Sequence, residues 1–138
     1  MKIYAFIFAR GGSIGCKNKN IRLLGNKPLI AHSILLAKSM DNIDKIIVST
    51  DSTEISNISD QYGADLIINR PSYLATSESI ELDSWKHAIN FIKDTGDTFD
   101  LFISIPCIAP LRIVQDINNY YIYMIYVENY QNLCKIVM

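Results

Sequence analysis

Ile3-Tyr4-Ala5-Phe6-Ile7-Phe8-Ala9-Arg10-Gly11-Gly12-Ser13-Ile14-Gly15-Cys16-Lys17-Asn18-Lys19-Asn20 joins an unbroken apolar run to a loop of glycines and cations. An apolar run without alternation predicts a strand buried on both faces, the pattern of a parallel sheet. The loop after it is built like a cradle for phosphate. Small residues let backbone N–H groups approach an anion closely, and Arg10, Lys17 and Lys19 supply countercharge. The spacing excludes the two commonest phosphate loops: glycines at 11, 12 and 15 do not give G-x-G-x-x-G, and no G-K-[ST] follows. A dinucleotide-binding dehydrogenase and a P-loop kinase are set aside on that ground.

Further continuous apolar runs rich in β-branched or aromatic residues occur at 45–49, 65–69 and 101–105. Helical periodicity separates them. Pro28 suits a first helical position, and Ile30, Ile34, Leu35 and Lys38 continue a 3.6-residue period. Ser52 is placed to cap a helix running to Gln61, with Ile55, Ile58 and Tyr62 on one face. Residues 81–93 repeat the pattern through Leu82, Trp85, Ile89 and Ile92. Alternating strands and helices predict an α/β, Rossmann-like, doubly wound and mostly parallel sheet. Ligands in such sheets bind beyond the carboxyl ends of the strands, which puts loops 9–20, 50–53 and 106–112 on one rim.

With 138 residues the chain is long enough for one core and one domain. A net charge of −1 gives no general reason to bind nucleic acid or an anionic membrane, so an anion site has to be local. The tyrosine-rich run 120–127 is far shorter than the roughly 20 apolar residues of a membrane span, and residues 1–8 read as a strand rather than a leader. Cys16, Cys107 and Cys134 are sparse and odd in number, which indicates neither a disulfide framework nor a zinc site and suits a reducing cytoplasm. His32 and His87 lack metal-ligand spacing, and Trp85 reads as a core anchor. Cys107 has no activating base in view and is a poor candidate nucleophile.

The loop resembles the N-terminal signature of the acylneuraminate cytidylyltransferases, the CMP-sialic, legionaminic and pseudaminic acid synthetases, which reads roughly A-R-G-G-S-K-G-x-x-x-K-N. Ala9 to Ser13, Gly15, Lys19 and Asn20 fit it, while Ile14 stands where the family usually has lysine. The family's order continues in Leu24-Gly25-Asn26-Lys27-Pro28-Leu29-Ile30, Val48-Ser49-Thr50-Asp51, Gly63-Ala64, Arg70-Pro71, Leu74-Ala75 and Ala109-Pro110-Leu111-Arg112. The last segment is similar to T-[SA]-P-L-R, with Ile108 in place of the threonine.

That resemblance implies transfer of CMP from CTP to a nonulosonic acid such as N-acetylneuraminate or legionaminate, with release of pyrophosphate, in nucleotide-sugar supply for cell-surface polysaccharide. It implies Arg10 and Lys19 as catalytic cations, a fixed fork and a mobile point charge on the phosphates. It implies Arg10, Gly11, Gly12, Ser13, Asn20, Arg70, Ser79 and Arg112 as substrate-binding residues. From the residues alone, Ser13 and Asn20 could equally stabilise loop turns. Arg112 could meet a sugar carboxylate or fix its own loop. Asp51 could orient a ribose or a metal-bound water, although capping is its commoner role.

The resemblance covers residues 1–112, read as an incomplete nucleotide-binding domain, and leaves 113–138 as a divergent tail. Family members continue through a region that supplies a dimerisation element, sugar-binding side chains and aspartates that hold Mg²⁺. Nothing after Arg112 resembles it, so a truncated member is expected, with Mg²⁺ implied by the family, its ligands missing, and self-association into a homo-oligomer through an open sheet edge. The alternatives are a 3-deoxy-manno-octulosonate-type cytidylyltransferase, against which Gly11-Gly12 and Lys19-Asn20 count, and an inactive nucleotide- or partner-binding fragment.

Overall fold

Residues 1–13, 15–119 and 125–126 are described by the structure, a computed structural model. Readings that fall on Ile14, on Cys134 and on most of 120–138 lie outside those residues. The elements follow the predicted alternation. β1 (Ile3–Phe8) leads through the cationic loop and a 3-10 turn (Lys19–Ile21) to a small hairpin, β2 (Leu23–Leu24) and β3 (Lys27–Pro28). Then come α1 (Leu29–Lys38), β4 (Lys45–Thr50), α2 (Thr53–Gln61), β5 (Leu66–Asn69) and a 3-10 turn (Ser72–Leu74). The chain continues with α3 (Glu81–Asp94), β6 (Leu101–Ser104), α4 (Val114–Asn119) and β7 (Ile125–Tyr126). Pro28 is corrected by one position: it pairs in the hairpin and stands just before the helix, which starts at Leu29. Ser52 caps α2 as read, its hydroxyl accepting the Ile55 N–H.

The main sheet has the order β5-β4-β1-β6-β7. β1 pairs in parallel with β4 on one side, Phe6 beside Ile47, and with β6 on the other, Phe6 beside Ser104. β7 is antiparallel to β6. The alternation along β1 sorts its side chains between two cores. Ile3, Ala5 and Ile7 pack with Ile30 and Ile34 of α1 and Ile55 of α2. Tyr4 and Phe6 pack with Trp85, Ile89 and Ile92 of α3 and with Phe102, whose ring lies 4.5 Å from that of Phe6. Each isoleucine or phenylalanine among them taken fully out of water stabilises the fold by about 1.5–3 kcal/mol. Helices on both faces make the sheet doubly wound. The chain runs outward from β1 through β4 to β5 and then returns to the far side of β1 as β6. The strand order therefore reverses between β1 and β6, and a crevice opens at their carboxyl ends.

Candidate functional site

A cavity of about 420 Å³ occupies that crevice. Phe8, Arg10, Ser13, Lys19 and Asn20 line it from β1 and its loop; Ser104, Pro106, Cys107 and Ile108 line it from β6 and beyond. Arg70, Leu74, Thr76, Ser77 and Ser79 enter from the segment after β5, and Glu81 and Ser84 from the start of α3. Of the residues singled out in the sequence, Arg10, Ser13, Lys19, Asn20, Arg70 and Ser79 thus come together. Gly11, Gly12 and Arg112 are not on the cavity wall, and Lys17 is exposed away from it.

The cationic loop is held by bonds that its sequence explains. The Asn20 side-chain amide donates to the Arg10 carbonyl at 3.0 Å, joining the two ends of the loop from a buried position. Asn18, at φ 55°, takes the left-handed turn into the 3-10 segment, a conformation asparagine tolerates. Asp51 is the correction here: it does not cap α2, the task of Ser52, but accepts the Gly11 N–H at 2.8 Å. Glycine suits position 11 because a Cβ there would stand 3.0 Å from the Ser52 Cβ. At Gly11 the missing side chain thus serves loop construction, whereas a Cβ at Gly12 would meet open space.

Arg70 is buried, at 7% exposure, beneath the cavity. Its Nη2 donates to the Ser49 carbonyl at 2.6 Å and its Nε to the Ser49 hydroxyl at 3.3 Å, while the guanidinium lies over the Phe8 ring at 5.7 Å. Burial pushes its pKa below the ordinary arginine value; Asp51 opposes that shift, and the like charge of Arg10 adds to it. Two guanidiniums and Lys19 around one crevice make a site that gains by taking an anion. Arg10 donates through Nη1 to the Thr76 carbonyl at 2.5 Å. Cys107 is buried, and burial pushes its thiol up to about 11, which fits its poor standing as a nucleophile.

Two histidines stand apart from this chemistry. His32 meets the Leu24 carbonyl through Nε2, at 3.0 Å. His87, on α3, has its pKa lowered by burial and then by the charge of Arg70. Among the described residues no group of three His, Cys, Asp or Glu side chains is placed to hold a metal ion. Glu81 is the one carboxylate on the cavity wall among them. No helix of the described residues is long and apolar enough to cross a membrane.

A family model described as "Cytidylyltransferase" matches residues 4–123, past the last quoted motif at Arg112. The chain belongs to the cytidylyltransferase family. It is 38% identical over 111 residues to the N-acylneuraminate cytidylyltransferase of Escherichia coli, covering 80% of this chain and 25% of that protein. It is 36% identical over 110 residues to the CMP-N,N'-diacetyllegionaminic acid synthase of Campylobacter jejuni, covering 79% of this chain and 47% of that one. Among solved structures, CMP:2-keto-3-deoxy-manno-octonic acid synthetase complexed with CTP matches with a TM-score of 0.70 at 21% identity, over 86% of this chain and 45% of that one. That likeness concerns the fold alone. The chain spans between a quarter and a half of the length of these relatives.

The sequence reading missed Phe8, Thr76, Ser84 and Ser104. Ser104 was within reach, as the last residue of the strand beside β1. Phe8 and Arg70 become neighbours only through the fold, and their spacing carries no signal of it.

Proposed function

We propose that this chain carries the nucleotide half of a synthetase that transfers CMP from CTP to a nonulosonic acid. The observation that bears most weight is the convergence of Arg10, Lys19 and Arg70 on one crevice at the reversal of strand order, in a member of the cytidylyltransferase family. In the proposed reaction the anomeric hydroxyl oxygen bonds to the α-phosphorus, the bond to the β-phosphate bridge breaks, and pyrophosphate leaves as the hydroxyl proton passes to solvent. Arg10 and Lys19 neutralise the triphosphate oxygens and the leaving group, and Ser13 donates to phosphate. Little covalent chemistry falls to the protein, since such transfers are helped mainly by alignment and charge neutralisation. A sialic or legionaminic type of acceptor is supported by the two relatives named. Mg²⁺ belongs to this reading as a companion of the triphosphate, and no step is assigned to it. A cytoplasmic location and self-association complete the reading.

The experiment is a calorimetric titration with CTP and Mg²⁺, paired with a pyrophosphate-release assay using N-acetylneuraminate and legionaminate. Arg10→Ala is expected to weaken CTP binding about 100-fold, the worth of a charge-assisted contact of about 3 kcal/mol. Binding without release would indicate a nucleotide-binding fragment, and no binding by folded protein would end the proposal.

A further inference from the structure

The segment after β5 has one apolar anchor, the buried Leu74, whose carbonyl accepts the Ser84 hydroxyl at 3.3 Å. Tyr73 and Ile80, which flank it, are 69% and 65% exposed. A second groove, of about 540 Å³, runs on its other side against α3, and Leu74 and Ser79 line both spaces. Between Leu74 and α3 the stretch 76–79, with open volume on each side, is placed by hydrogen bonds rather than by contacts with a core.

Those bonds centre on one hydroxyl. Ser79 Oγ donates to the Tyr73 carbonyl at 2.9 Å, accepts the Thr76 N–H at 3.1 Å, and pairs with Thr76 Oγ1 at 2.7 Å. The Ser79 N–H also reaches the Thr76 carbonyl, at 3.4 Å. A serine hydroxyl has one donor and two acceptor sites, and all three are used within the segment. It has none left for a nucleotide. The Thr76 carbonyl, its peptide fixed in this way, is the acceptor that holds Arg10 Nη1 at 2.5 Å. Only one of the five guanidinium donors is spent there, and the others stay free for phosphate oxygens.

We propose that Ser79 is a positioning residue that acts through Thr76 to fix the Arg10 guanidinium for an oligophosphate, rather than a residue that touches the nucleotide. This rests on the nucleotide reading of the cavity only in requiring an oligophosphate there. A guanidinium held in advance loses less freedom on binding than one that must be ordered by the ligand. Serine at 79 therefore sets affinity without a contact of its own.

A double-mutant cycle separates this role from direct contact. Wild type, Ser79→Ala, Ser79→Thr, Arg10→Ala and the Ser79→Ala/Arg10→Ala double variant are titrated by calorimetry with inorganic tripolyphosphate and with CTP, after thermal unfolding has shown each to be folded. Ser79→Ala is expected to weaken both ligands about tenfold in the wild-type background and less than about twofold in the Arg10→Ala background. Ser79→Thr, which keeps the hydroxyl, is expected to restore binding to within about threefold of wild type. Equal losses in both backgrounds would overturn the proposal, as would a wild type that binds neither probe. Coupled losses with tripolyphosphate, combined with CTP binding no tighter than UTP, would uphold the positioning role and sink the cytidylyl reading instead.

Discussion

The two rims of the sheet use charge in opposite ways. At the amino ends of the strands carboxylates close off backbone donors: Asp100 accepts the Lys2 N–H at 2.6 Å, Asp44 the Ile3 N–H at 2.6 Å, and Asp65 the Ile46 N–H at 2.7 Å. Asp97 gathers the Tyr4 hydroxyl at 2.8 Å and the Lys45 ammonium at 2.6 Å. At the carboxyl ends Asp51 closes off the Gly11 N–H in the same way, but the cations there, Arg10 and Arg70, are each anchored by part of the guanidinium while the remainder faces the crevice. One rim spends its charges on the chain and the other keeps donors in reserve. Stability and ligand binding are thereby assigned to opposite ends of the same strands, and a substitution at either end tests the division.

The largest effect is expected at Arg70. Arg70→Ala removes a buried cation and its two hydrogen bonds to Ser49, whose carbonyl keeps only the Ala9 N–H, so CTP affinity should fall about 100-fold and stability by about 2 kcal/mol. Calorimetry and urea unfolding on one preparation check both, and unchanged CTP affinity would break the assignment of this rim to binding. Next comes Asp44→Ala, which strands the N–H of Ile3, itself buried. A loss of about 1–2 kcal/mol in urea unfolding is expected, with CTP affinity held within about twofold. An affinity change larger than that would show the two rims to be coupled.

The smallest effect concerns acid. The hydrogen bond from Lys45, then that from Tyr4, holds the Asp97 carboxyl well below the usual carboxylate range. A carboxylate whose folded-state pKa is depressed contributes stability above the unfolded value of about 3.9, and that contribution is lost as pH falls further. Unfolding midpoints should therefore drop below about pH 4 more steeply in wild type than in Asp97→Asn. Parallel acid limbs in the two proteins would remove Asp97 from the account. Because the pair is partly exposed, salt should weaken it as well.

The strands and helices were legible because burial on two faces leaves unbroken apolar runs, and because α2 and α3 write their buried faces at helical spacing. Their order in the sheet gives the crevice its place. The division of labour inside the cationic loop was less legible. Aspartate after a strand suits a cap, a loop tether or a ligand contact equally well, and only the 2.8 Å bond to Gly11 decides for the tether. Gly11 and Gly12 read as phosphate contacts because small residues serve close approach of any kind; at Gly11 the neighbour is Ser52. Arg112 rested on resemblance alone and stands off the cavity wall. The role of Thr76 was invisible because it belongs to a backbone carbonyl, which every residue has.

Trp85 is the single tryptophan of the sequence and sits 8% exposed on α3. Its ring lies 6.3 Å from that of Phe8, the same ring that Arg70 covers from the crevice side. One indole therefore stands two side chains from the place where an anion would settle. Excited selectively over the tyrosines, its emission can report occupancy of the crevice without a label, and because there is one such ring, the signal has a single source.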